Sequence, residues 1–368
     1  MNNDQKLNLL WLPRDNKGCG FYRMLMPANW IMKKGLANVK ISNGWNMEEV
    51  KWANVIIIQR PSDWQAYDAI EEAKSMGKKI VFEIDDLLQL VNPNNYAYEY
   101  WTPIGANLGR SLNLMKLCNA VTTTTPRLAN EYALFNRRMF VIPNYLDPDL
   151  WNQPKSWSTK EWNDYYKRKN DDIIRIGWTG AASHRQDLEM ISGIITKLCK
   201  KYKNVQFSML GFTPKEIFST IPLREGTCPH CGAEGQLEAD KGVPVLEYPD
   251  KLKSMAFDIG IAPIIETGFN ECKSDLKLKE YAAIGVPVVA SNIKPYSESL
   301  KDGVGKRGYL ASNGKDWYNY LEMLILDKDL RERLGKNNRR WYEENTIDKH
   351  IYKWIEVYKE LVDVKFNW

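Results

Sequence analysis

No uninterrupted apolar run in this 368-residue chain approaches the roughly 20 residues that cross a bilayer. The opening MNNDQKLNLLWLPRD also lacks the charged region and long apolar region of a secretory signal, so the cytoplasm is the expected compartment. Histidine is scarce, with 3 residues in all. The 6 cysteines, Cys19, Cys118, Cys199, Cys228, Cys231 and Cys272, are too few and too scattered to form a disulfide framework for a chain of this size. There is no internal repeat and no low-complexity tract. A dominant charge of one sign is missing too: 51 basic residues against 46 acidic ones leave a net +5. That balance admits an anionic ligand or a weak nucleic-acid surface and requires neither. Hydrophobic content of 44% with 26% charge excludes wholesale disorder.

What is present in quantity is aromatic surface, 14 Trp and 19 Tyr, which suits sugar or base sites as well as core and interface packing. The length fits two domains of about 150 residues each. In the first half strand and helix signals alternate. LNLLWLP, VIIIQRP, IVFEID, AVTTTT and MFVIPN read as strands, separated by the helical patterns FYRMLMPANWIMKKG, WQAYDAIEEAKSMGKK, SLNLMKLCN and PRLANEYALF. Such alternation implies βαβ units and parallel sheets. A polar, Trp-rich stretch, DPDLWNQPKSWSTKEWNDYYKRKN, interrupts it as a linker with a partly helical excursion. A second series follows in IIRIGWTG, DLEMISGIITKLCKKY, VQFSMLG and DIGIAPI, and two amphipathic helices close the chain.

The segment KSDLKLKEYAAIGVPVVAS, residues 273–291, is the richest in chemistry. Ser274 is the expected N-cap and Asp275 suits the first turn. Leu276, Leu278, Tyr281 and Ala282 form an apolar stripe that Gly285 ends, and VPVVAS reads as a buried parallel strand. A helix start presents unpaired N–H groups and partial positive charge, so a diphosphate fits there, with Lys273 and Lys277 completing its neutralisation. Glu280, further along, suits ribose hydroxyls. The competing reading is an amphipathic helix with solvated lysines.

These residues resemble a known family. KLKEYAAIGVPVVAS is similar to the donor helix of GT-B glycosyltransferases of the family 4 (group 1) kind, in a branch common among bacterial and phage genomes. VIPNYLDPDLW, IRIGWTGAASHRQDLEMI and PVLEYPDKLKSMAFDIGIAP resemble other parts of that family, so the likeness runs through nearly the whole chain. It implies an α/β GT-B fold of two Rossmann-like, doubly wound domains facing a cleft. Residues 1–150 would form the acceptor domain, 151–171 an interdomain segment and 172–346 the nucleotide-sugar domain with an insertion at 222–243. The last helix, 347–368, would cross back to the first domain. The implied activity is transfer of a hexose from a nucleotide-diphosphate sugar, a UDP-sugar above all, to a hydroxyl acceptor with retention of configuration, needing no metal or resident cofactor. In the family's E-x7-E pattern Glu280 fills the second place, whereas Cys272 stands in the first.

Glycosyl transfer develops negative charge on the departing diphosphate, so cations and N–H donors around it lower the barrier. Lys277, Lys273, His184 and Arg185 are the candidate cations, and the amides of Ser274, Asp275 and Leu276 the candidate donors. His184 and Arg185 follow the glycine loop at Gly180, where the alternative is a plain surface turn. A second glycine loop carries Gly18, Gly20, Tyr22 and Arg23 after the first strand, at the place where a doubly wound sheet opens its ligand crevice. Asp85 and Asp86 end the third predicted strand, positioned either for an acceptor or sugar hydroxyl or, for Asp86, to cap a helix. Cys228, His230 and Cys231 form half of a zinc knuckle without a second pair, a reduced thiol pair being the alternative. The acceptor is left open among a glycan, a glycoconjugate and hydroxymethylated DNA, and a silent GT-B module binding nucleotide or glycan is the rival outside catalysis.

Overall fold

Short runs of Val, Ile, Leu and Phe bounded by Gly, Pro and Asn become parallel strands, and the amphipathic segments between them become the covering helices. The computed structural model describes residues 6–93, 95, 97–101, 106–152, 154, 157–221 and 235–363. The chain divides into two units. Unit 1 takes in the chain up to Asp147, Cys272–Ser274 and the chain from Thr346 onward; unit 2 is Pro148–Glu271 with Asp275–Asn345.

In unit 1, β1 (Asn8–Leu12) leads through a π-helical stretch (Phe21–Leu25) into α1 (Met26–Lys33) and the half-exposed β2 (Asn38–Ile41). There follow β3 (Val55–Gln59), α2 (Trp64–Ser75), β4 (Lys79–Glu83), α3 (Asn107–Leu117), β5 (Ala120–Thr123), α4 (Pro126–Tyr132) and β6 (Met139–Val141). The helix starts obey capping chemistry. Asp63 accepts from the Ala66 N–H at 2.8 Å, and Thr125 accepts from the Leu128 N–H at 3.2 Å. All six strands pair in parallel in the order β2-β1-β3-β4-β5-β6. The order reverses between β1 and β3, so ligands are expected beyond the carboxyl ends of those strands.

Unit 2 opens with α5 (Thr159–Lys169), a helix in the stretch that the sequence reads as a linker with a partly helical excursion. Ser158 and Glu161 close a reciprocal capping box at its start. Then come β7 (Ile174–Gly180), α6 (Arg185–Lys201), β8 (Val205–Gly211), β9 (Leu237–Lys241), α7 (Tyr248–Ser254) and β10 (Ile259–Ala262). After these, α8 (Leu276–Ala283), β11 (Val288–Ser291), β12 (Gly308–Ala311), α9 (Gly314–Leu326) and α10 (Lys328–Glu344) complete the unit. The strands again pair in parallel, in the order β12-β11-β10-β7-β8-β9, which reverses between β7 and β10. The described residues end in α11 (Tyr352–Asp363), which belongs to unit 1. The two expected parallel α/β sheets are thus present.

Helix α8 starts one residue later than expected. Its N-cap is Asp275, not Ser274, and neither side chain caps it. The Ser274 hydroxyl accepts from Asn144 Nδ2 at 3.0 Å, while the Asp275 carboxylate is taken by Lys279 Nζ at 2.6 Å and Ser299 Oγ at 2.9 Å. Gly285 stops the helix in the left-handed region, φ +70°, where glycine carries no Cβ penalty. The half zinc knuckle at Cys228, His230 and Cys231 lies outside the described residues.

Candidate functional site

The switch point of unit 2 is built from four elements. Thr179 and Gly180 end β7; the turn after them carries His184 into α6; Tyr248 begins α7; and α8 supplies Lys277 and Glu280. Gly180 has no room for a side chain, since a Cβ would stand 2.6 Å from the Trp178 ring. Glu280 is 4% exposed, and its Oε2 accepts from Lys277 Nζ at 3.0 Å and from the Tyr248 hydroxyl at 3.0 Å. Because an ionised carboxylate only accepts, the tyrosine proton goes to Glu280, and Thr179 Oγ1, 3.0 Å away, then donates to the tyrosine oxygen.

Asp187 on α6 is buried at 3% exposure and serves two partners. Oδ2 lies 2.7 Å from His184 Nδ1, and Oδ1 accepts from the Ile265 N–H at 2.8 Å, just past β10. With Asp187 ionised, Nδ1 is the donor, and Nε2 is the ring nitrogen that Asp187 does not use. Tyr296 shows that the two clusters share one locale. Burial pushes its phenol well above the usual range, and the nearby carboxylates of Asp187, Glu280 and Asp275 add to the shift. Arg185 points its guanidinium to the exposed acids Glu189, at 2.9 Å, and Glu216, at 2.7 Å.

Unit 1 gathers a second polar group at its own switch point. Arg60, just past β3, is 3.4 Å from Asp85 and 3.7 Å from both Asp86 and Asp15, with Lys273 3.6 Å from Asp86. Arg60 adopts φ 34°, a conformation uncommon for a residue with a side chain. Cys19 Sγ and carboxylate oxygens of Asp85 and Asp86 lie within 4.8 Å of one another. Burial pushes the Cys19 thiol well above its ordinary value, and Asp85 and Asp86 push it further, so the thiol stays protonated. Burial opposes the charge on Arg60, but the carboxylates of Asp85, Asp86 and Asp15 outweigh it and raise the guanidinium.

The expected residues therefore fall into two groups. Gly180, His184, Lys277 and Glu280 meet in unit 2, where Asp275 and Leu276 begin α8. Gly18, Gly20, Asp85, Asp86, Lys273 and Ser274 belong to unit 1. Arg23 is a correction. It is fully buried, and its guanidinium holds Glu83 at 2.7 and 3.1 Å, the Ile142 carbonyl at 2.7 Å and Asn144 at 3.0 Å, so it braces the fold and does not meet a ligand. Tyr22, 6% exposed, lies in the same buried helical stretch. Cys272, which replaces the first glutamate of the pattern, is 1% exposed, and its carbonyl accepts from Thr125 Oγ1 at 3.0 Å. Sequence reasoning names none of Thr179, Tyr248, Asp187 and Arg60: the first three lie inside the segments that carry the resemblance, but nothing local marks their side chains.

Comparison with known proteins bears on the fold and on the segment that opens on α8. Residues 276–341 match the family Glycosyl transferases group 1, beginning at the first residue of α8. One component of the phosphatidylinositol N-acetylglucosaminyltransferase of Homo sapiens is 28% identical over 171 residues, which cover 44% of this chain; the match spans only 31% of that relative's length. A glycosyltransferase from Rickettsia africae superposes with a TM-score of 0.65 at 14% identity, covering 98% of this chain and 100% of its own. HepE of Anabaena, in complex with UDP and glucose, gives 0.64 at 14% identity, covering 97% of this chain and 100% of its own. The two parallel sheets have the GT-B fold of these solved glycosyltransferases, and the segment that opens on α8 matches the glycosyl transferases group 1 model.

Proposed function

We propose that the protein moves a hexose from a UDP-sugar to a hydroxyl acceptor, with retention of configuration, and that unit 2 holds the donor. The observation that carries this reading is the convergence of Lys277, Glu280 and the His184–Asp187 pair at the switch point of the unit that the group 1 match identifies. UDP and glucose sit in the Anabaena relative of the same fold, which supports a UDP-hexose here. Glu280 accepts ribose hydroxyls. Lys277 and the protonated form of His184 oppose the charge that grows on the diphosphate as the glycosidic bond breaks, so they favour the transition state over the ground state. In unit 1, Asp85 and Asp86 are candidates to accept from a non-reacting hydroxyl of the acceptor; in a retaining transfer the proton of the attacking hydroxyl passes to the departing phosphate. No resident cofactor enters the scheme.

A thermal-shift series with UDP-, GDP-, ADP- and CMP-sugars tests the reading, because a ligand that binds only the folded state raises the melting point by mass action. The UDP-sugars should give the largest rise. Lys277→Ala should lower kcat by about 10²-fold with a smaller effect on donor binding, as removal of one transition-state donor does. No shift with any of these sugars, together with full turnover in the lysine variant, would overturn the reading.

A further inference from the structure

The two oxygens of Glu280 are used unequally. Oε2 receives both Lys277 Nζ and the Tyr248 hydroxyl, each at 3.0 Å, whereas Oε1 takes no hydrogen bond among the described residues. Lys277 reaches from one helical turn away on α8 itself, so alone it would leave the carboxylate free to rotate with that helix face. Tyr248 reaches from a different element, α7, and is held in turn. Thr179 at the end of β7 lies 3.0 Å from its hydroxyl, and the buried Trp151 meets its ring edge-on with centroids 5.8 Å apart.

We propose that Tyr248 is a positioning residue for donor recognition. Together with Thr179 it fixes Oε2 of Glu280 against the end of β7, so that Oε1 is presented to the ribose hydroxyls of the donor. The inference deepens the proposed function and rests on its reading of Glu280 as the ribose acceptor. A carboxylate that is 4% exposed cannot rely on bulk water to satisfy a lost bond, so removing one hydroxyl should change how Glu280 meets its ligand. The chemistry recognised is a vicinal diol on a nucleoside diphosphate.

The test compares binding of UDP and of its 2′,3′-dideoxy analogue by calorimetry to the wild type, Tyr248→Phe, Glu280→Gln and the double variant. Tyr248→Phe keeps the ring and its packing on Trp151, and its melting point serves as the control for folding. UDP should bind the phenylalanine variant about tenfold more weakly, the size of a hydrogen bond to a charged group. The dideoxy analogue should bind it and the wild type within about a factor of two, and the double variant should be no weaker for UDP than Glu280→Gln alone. Equal loss for both nucleotides, or additive loss in the double variant, would make Tyr248 a packing residue and overturn the inference. A wild type that binds UDP and does not distinguish it from the dideoxy analogue would instead remove the ribose role of Glu280, and the inference with it.

Discussion

Asp187 joins two segments that are 78 residues apart, His184 on one oxygen and the Ile265 N–H on the other. A buried carboxylate with both oxygens bonded holds an imidazole in one orientation, so under the proposed function Asp187 acts through His184. Asp187→Asn preserves shape but offers a single acceptor oxygen. It should lower kcat by about tenfold or more with a smaller change in KM, and the loss should not add to that of His184→Ala in a double-mutant cycle. Additive losses would show that the two side chains act separately. Cys19 supports a second prediction at this scale. Burial, with Asp85 and Asp86 beside it, holds its thiol well above the ordinary range, and only the thiolate is nucleophilic. Iodoacetamide at pH 8 should leave Cys19 of the native protein unmodified while labelling it after unfolding, as read by peptide mass mapping. Rapid native labelling would contradict the assignment.

At the scale of the element, α8 and β10 depend on a fit between one glycine and one ring. Tyr281 is fully buried, its hydroxyl donates to the Ile261 carbonyl at 2.9 Å, and a Cβ on Gly260 would stand 2.7 Å from the ring. Gly260→Ala should therefore destabilise the protein by about 1–3 kcal/mol, the usual cost of overpacking, and weaken nucleotide binding by shifting α8. A melting temperature equal to wild type would refute it. The same helix shows what a sequence reader can and cannot see. Its apolar stripe, its stop at Gly285 and the strand after it follow from local periodicity and glycine chemistry, so helix α8, which carries Lys277 and Glu280, was legible. Its exact start was not, because the Ser274 and Asp275 side chains are claimed by Asn144, Lys279 and Ser299, contacts no local pattern encodes. Edge strands β2, β9 and β12 escaped for a related reason. Each has half-exposed positions and meets the sheet on one side only, so no continuous apolar run marks it. Thr179, Tyr248 and Asp187 become a site only when the strand order reverses between β7 and β10, and topology of that kind is written in the whole sheet.

Over the whole molecule, the chain completes unit 1 with residues from its far end. Ile347, Ile351, Trp354, Ile355, Val357, Tyr358 and Leu361 are all buried, with Tyr358 edge-on to Trp11 of β1 at 5.9 Å and Lys353 donating to the Tyr145 hydroxyl at 2.7 Å. The Thr346 region also adds a parallel bridge to Leu146, closed by the Ile347 N–H on the Leu146 carbonyl at 2.9 Å. Full burial of one large apolar side chain contributes about 1.5–3 kcal/mol, so these residues together contribute on the order of 10–20 kcal/mol. A domain's net stability is only about 5–15 kcal/mol, so unit 1 should not remain folded without them. Ending the chain at Asn345 should therefore abolish hydrogen-exchange protection of β1, whose Trp11 packs on the lost helix, and of β3 paired beside it. Strands β7, β8 and β10 of unit 2 draw their core from Ile176, Phe207, Ile259 and their own helices, and they should keep their protection. Retained protection of β1 in the truncated chain would mean that the last helix is an accessory to unit 1, and the burial argument would fail there.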